Sequence, residues 1–126
     1  MDSVTIEFVP APGLSKNNLR STHWRTLSNL SKAARDEAFF LGLQAKPKGW
    51  KVPDRADVDI CQYHAKVPLD FDGLACAAAP YLDGLVDSDI LRDDSPDAIA
   101  SYNLKHTKVS KVAESRVSIT VTPVGR

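Results

Sequence analysis

Between Leu69 and Asp97 the chain encodes a helix with two unlike sides, and such a helix restricts what the rest of the molecule can become. From Gly73 onward, at about 100° per residue, Leu74, Ala78, Tyr81 and Leu85 fall on one narrow stripe, and Asp72, Cys76, Ala79 and Asp83 fall on the opposite one. The first stripe must be buried against another layer, while the second stays open. Pro80 lies inside this pattern and predicts a kinked helix, because proline lacks the N–H of one intrahelical bond. Asp70 and Asp72 stand at the helix entrance, and Asp93 and Asp94 return one short loop after its exit, where a turn of chain can bring all four to one sheet edge. Four carboxylates do not crowd together without a cation, since like charges at close range force protonation. With no His or Cys beside them, Asp70, Asp72, Asp93 and Asp94 suit a hard divalent ion, Mg²⁺ with Mn²⁺ as the alternative. Taken singly, Asp72 reads equally as a helix cap and Asp93-Asp94 as a turn.

A helix with one apolar stripe needs a sheet to cover. Val4, Ile6 and Phe8 alternate with Thr5 and Glu7, so Val4–Val9 is expected to be a strand buried on one face. From Thr26 to Gln44, Leu27, Leu30, Ala34, Ala38 and Leu41 keep helical spacing, with Lys32, Arg35, Asp36 and Glu37 on the other side. Ala56–Val67 is strand-like with an apolar phase shift, which places a bulge near Ile60-Cys61 or covers both faces in part. Ala98, Ala100, Tyr102 and Leu104 alternate as a further strand, and Val117, Ile119 and Val121 as the last, with Lys105, His106, Lys108 and Lys111 expected at a basic hairpin tip between them. The order implies a single domain over residues 1–126, of α/β (α+β) class: a small mixed four-stranded sheet with two main helices on one face.

The 16 Lys/Arg and 16 Asp/Glu cancel, yet they are not evenly spread. Residues 1–51 carry a net +4, residues 52–101 a net −8 and residues 102–126 a net +4. An acidic centre between basic flanks is the division needed by a protein that holds metal on carboxylates and grips phosphate with cations. The polar loop after the first strand, with Lys16, Asn17, Asn18, Arg20, Trp24 and Arg25, can follow a phosphate backbone and stack on a base, or be ordinary surface with Trp24 in the core. The three histidines, His23, His64 and His106, are scattered in sequence, and a surface or packing role is expected for each. Cys61 and Cys76 match neither a zinc spacing nor a disulfide framework. No apolar run of about 18 residues is present, and the opening Met-Asp-Ser-Val-Thr lacks a secretory pattern, so a cytoplasmic protein with no membrane partner is expected.

Asp70-Phe-Asp72-Gly-Leu74, Pro80-Tyr-Leu-Asp83-Gly84-Leu85-Val86-Asp87 and Leu91-Arg-Asp93-Asp94-Ser95 together resemble the RusA family of Holliday-junction resolvases, especially its phage members. The segment Pro10 to Arg20 is similar to that family's opening, so the likeness spans most of the chain. It implies a homodimeric, Mg²⁺-dependent endonuclease that resolves four-way DNA junctions by paired incisions. By position, Asp70, Asp72 and Asp94 are the implied catalytic and metal-binding carboxylates, with Asp93 beside them. Lys16, Asn17, Asn18, Arg20, Arg25, Lys66, Lys105, Lys108 and Lys111 are the DNA-contact candidates. Two departures stand out. Gly73 replaces the family's usual Asn, and the family lysine on the acidic helix face is absent: that position holds Ala79, and the residue one turn earlier is Cys76. A junction-binding protein with impaired turnover is therefore the alternative, with Lys66 as the one nearby replacement cation, and a metal-stabilised domain without a DNA role is a third reading.

Overall fold

The computed structural model describes residues 3–10 and 24–124, without the side chains of Trp24, Arg25 and Leu27. The expectations placed on Lys16, Asn17, Asn18 and Arg20, and on the Arg25 side chain, lie outside the described residues.

The chain forms β1 (Val4–Phe8), α1 (Trp24–Ala45), β2 (Ala56–His64), α2 (Phe71–Asp87), β3 (Ile99–Lys108), a 3-10 turn at Val112–Glu114 and β4 (Arg116–Pro123). The strands hydrogen-bond in the order β1-β4-β2-β3. β4 runs antiparallel to both of its neighbours, whereas β2 and β3 are parallel and are joined through α2. The sheet is thus mixed and four-stranded, as the element order implies.

Period-two alternation decides which face is covered. Val4, Ile6 and Phe8 on β1, Ala56, Val58 and Ile60 on β2, and Val117, Ile119 and Val121 on β4 join one core with Ala34 and Ala38 of α1 and Leu74, Ala77, Ala78, Tyr81 and Leu85 of α2. Both helices therefore lie on one face. The opposite face is a polar ladder in which Ser101 Oγ donates to Asp57 at 2.7 Å and Asn103 Nδ2 to Asp59 at 3.0 Å. There Arg116 donates to Glu7 at 2.7 Å and lies 4.0 Å from the centre of the Tyr63 ring. These side chains satisfy one another and water, so that face needs no cover.

The two helices touch backbone to backbone where α2 carries Gly84. A Cβ there would meet the Arg35 carbonyl of α1 and would stand 2.5 Å from the Ala38 Cβ, so glycine is what lets the helices close. Arg35 then clamps the pair, with Nε donating to Asp87 Oδ2 at 2.5 Å and an Nη to Oδ1 at 2.8 Å. Tyr81, 1% exposed, stacks on Phe8 of β1 with ring centres 3.5 Å apart and donates its hydroxyl to Glu37 at 3.0 Å. Burial, reinforced by the Glu37 charge, pushes the Tyr81 phenol above its ordinary range.

Several local expectations are corrected. α2 begins at Phe71 rather than Gly73, because Asp70 caps it. As expected, the helix continues on both sides of Pro80. β2 ends at His64, and its irregularity falls at Ala56/Asp57 rather than Ile60-Cys61: Val58 and Ile60 stay in phase with the core, and Cys61 and Tyr63 belong to the polar face. β3 extends through Lys105, His106 and Lys108, and it is separated from β4 by β2, so no basic hairpin tip exists. By alternation Lys105 shares the polar face with Ser101 and Asn103, while Lys108 shares the helix side with Leu104 and His106. Lys111 alone lies in the connection to β4.

Candidate active site

With Leu74, Ala78, Tyr81 and Leu85 buried, the opposite stripe of α2 is left facing outward. Asp72 and Ala79 are exposed on it, and Cys76 and Asp83 are half-buried. Tyr102 of β3 lies near enough to Cys76 to be influenced by its charge, and burial first, then Cys76, raises the Tyr102 phenol. The open stripe is thus one wall of a groove whose other wall is the helix side of β3. A shallow cavity of ≈ 270 Å³ at the start of β3 is lined by Asp94, Pro96, Ile99, Ala100, Ser101 and Tyr102.

The four expected carboxylates take different positions along this groove. Asp70 accepts the Gly73 N–H at 2.6 Å, which orients it as the cap of α2. Asp72 follows in the first turn. Asp93 accepts the Asp94 N–H at 2.8 Å, and the Ser95 side chain followed by that N–H holds its carboxyl below the usual range; this is the turn role. Asp94 lies within electrostatic reach of one further carboxylate, that of Asp83. Burial raises the Asp83 carboxyl, the Arg35 charge opposes the rise, and the negative charges of Asp94 and Asp87 add to it.

Asp72 and Asp83 are eleven positions apart on one helix, about 16 Å along its axis, too far for one ion to span. Among the described residues, no three His, Cys, Asp or Glu side chains are placed to hold a metal together. The donor set nonetheless fits Mg²⁺ in chemistry, since that ion is commonly held by one or two carboxylates while keeping several waters. Asp83 and Asp94 supply two carboxylates of that kind, with the Arg35 guanidinium offsetting part of the charge at Asp83.

Asp83 was legible on the acidic stripe, but its pairing with Asp94 was not, because that pairing depends on how the loop after α2 folds back. The residue that shapes the loop is Asp89, with a left-handed φ of 60°, a conformation Asp tolerates better than most side chains. Ala79 is exposed, so a longer side chain at this position has room. Lys66 is exposed just beyond β2. His64 and His106, which sequence leaves apart, are brought to 5.8 Å between ring centres, and Phe71 at the start of α2 lies 4.7 Å from His106.

No family model matches the chain, and no curated protein matches it. Among the described residues, no helix is long and apolar enough to cross a membrane.

Proposed function

We propose that the chain is a Mg²⁺-dependent endonuclease acting on four-way DNA junctions as a homodimer, with the carboxylate-lined groove of α2 and β3 as its active site. The observation that carries this reading is the acidic stripe left open on α2, where the charge of Asp94 acts on the half-buried Asp83 against the partial offset from Arg35. The resemblance of residues 70–95 to the RusA pattern and the basic flanks around an acidic centre support it further. Asp83 and Asp94 are the proposed holders of the ion, and Asp70 and Asp72, about 16 Å away along α2, are proposed catalytic carboxylates that do not share that ion. When bound, Mg²⁺ supplies a water of lowered pKa and positive charge for the phosphoryl oxygens. The chain's own part is to position it. Asp70 fixes the first turn of α2 through its bond to Gly73, and the loop between α2 and β3 carries Asp93 and Asp94. Lys108 on the helix side of β3 and Lys66 just beyond β2 are the proposed contacts to the DNA backbone, and a dyad would supply the second site that paired incision needs.

The test is junction cleavage by Asp70→Asn, Asp72→Asn, Asp83→Asn and Asp94→Asn, each with junction binding measured alongside. Loss of Mg²⁺-dependent cutting by at least about a hundredfold with binding retained is expected for Asp94→Asn and Asp83→Asn, and a loss of the same kind for Asp70→Asn and Asp72→Asn at the helix entrance. Four variants that all cut like the parent would sink the reading. The alternative, a junction-binding protein with impaired turnover, is favoured by the exposed Ala79 where the family carries lysine. It predicts tight junction binding with slow cutting that Ala79→Lys accelerates by about tenfold or more.

A further inference from the structure

The parallel pair β2 and β3 ends beside the first turn of α2, and in α/β units this is the place where ligands settle, outside the carboxyl ends of parallel strands. Two histidines occupy that edge. His64 is the last residue of β2 and sits in register with Lys108 of β3, while His106 is in register with Gln62. Their rings meet edge to face, and Phe71 closes over His106. The hydrogen bonds fix which nitrogen of each ring is available. His64 Nδ1 lies 3.0 Å from the Lys66 carbonyl, which can only accept, so the proton is on Nδ1 and the lone pair is on Nε2. His106 Nδ1 is buried without a partner, a position that disfavours a proton there and places the ring N–H on Nε2. Among the described residues neither Nε2 has a protein hydrogen-bond partner.

A cavity of ≈ 170 Å³ opens against His64, lined also by Tyr63, Lys66, Val67, Val112 and Arg116. The charged groups around the pair come from four elements. Lys66 follows β2, Lys108 ends β3, Asp70 and Asp72 begin α2, and Lys111 and Glu114 lie in the connection whose Val109 N–H bonds the His64 carbonyl. Arg116 of β4 is held by Glu7. The remaining lysines and acids nearly offset one another. The net charge of the edge therefore follows the protonation of the imidazoles.

We propose that His64 and His106, with Lys66 and Lys108, form a phosphate-binding subsite at the carboxyl ends of β2 and β3. His106 donates its Nε2–H whatever the pH. His64 becomes a second donor once Nε2 takes a proton, so acid favours the subsite. Assigning that phosphate to a nucleic-acid strand rests on the function proposed above; the subsite itself does not.

The test follows the imidazole C–H signals of the intact protein by NMR while inorganic phosphate is added at pH 6 and at pH 8, at constant ionic strength. Saturable shifts of both rings are expected, with about tenfold tighter binding at pH 6 than at pH 8. His64→Gln should remove the pH dependence, and Lys66→Ala, at an exposed position, should weaken binding at both pH values. His106→Gln should do the same. Phosphate that moves neither ring at pH 6, or a pH dependence that survives His64→Gln, overturns the proposal. Parallel titrations with 5′-phosphorylated and 5′-hydroxyl oligonucleotides and with a four-way junction identify the source. Shifts from all three assign a backbone diester, whereas shifts from the phosphorylated strand alone assign a chain-end monoester. Phosphate shifts in a protein that never cuts junctions would count against the nuclease reading and leave the subsite standing.

Discussion

Asp70 combines two duties that substitution can separate. Its side chain caps α2, and asparagine caps as well as aspartate does, so Asp70→Asn should keep the fold while Asp70→Ala should lose about 1 kcal/mol, read as a lower urea midpoint. Equal midpoints for the two variants would show that the cap contributes nothing to stability. Asp83 should respond in the opposite sense. Its carboxyl is raised in the fold, so the folded chain holds that proton more firmly than the unfolded chain does. The resulting stabilisation is complete below the ordinary carboxylate range and disappears as pH climbs through the raised value. Asp83→Asn cannot ionise, and it should raise the urea midpoint at pH 7 while changing it little at pH 3. A midpoint lowered at pH 7 would mean that attraction to Arg35 outweighs burial. At this scale the sequence displayed every acidic group on the α2 stripe, because helical spacing is local. It did not display which of them meet, since Asp94 reaches Asp83 through the path of a loop, and His64 reaches His106 through strand register.

Packing between elements is decided at a few small residues. Gly84 sits where α1 and α2 approach most closely, and a methyl group there must displace the Arg35 carbonyl and the Ala38 side chain. Gly84→Ala should therefore cost about 1–3 kcal/mol despite alanine's better helix propensity, measured by chemical denaturation; a neutral or stabilising effect would mean that the helices separate easily. The elements themselves were largely readable. Alternation at Val4, Ile6 and Phe8 and helical spacing at Ala34 and Ala38 each report one buried side, and both halves of the sheet followed. The end of β3 was misjudged for a physical reason: Lys105, His106 and Lys108 carry no apolar alternation, because an edge strand near its end has little to bury, yet their backbones bond to β2 throughout. The expected hairpin failed because strand alternation identifies a strand and says nothing of its partner.

For the whole molecule, the orientation of β3 turns a general statement about basic flanks into a directional one. Lys108 lies on the helix side with the groove and Lys105 on the polar ladder, so DNA held in the groove meets the first and not the second. Lys108→Ala should reduce the log–log salt slope of junction binding by about one unit, and Lys105→Ala should leave it unchanged. Equal losses would place the DNA across the strand edge instead of in the groove. The strand order carries a consequence for how the molecule is made. β1 emerges first during synthesis, yet its one partner in the sheet is β4, which emerges last, and β4 also fills the gap beside β2. Val4–Phe8 must therefore wait, an apolar strand without a mate, until Arg116–Pro123 has been translated and inserted. Closing the sheet becomes the late step of folding, dominated by contacts between distant parts of the chain. A nascent chain stalled before Arg116 would keep the β2–α2–β3 unit within reach of folding but would hold its first strand exposed to whatever chaperone or aggregating neighbour it meets.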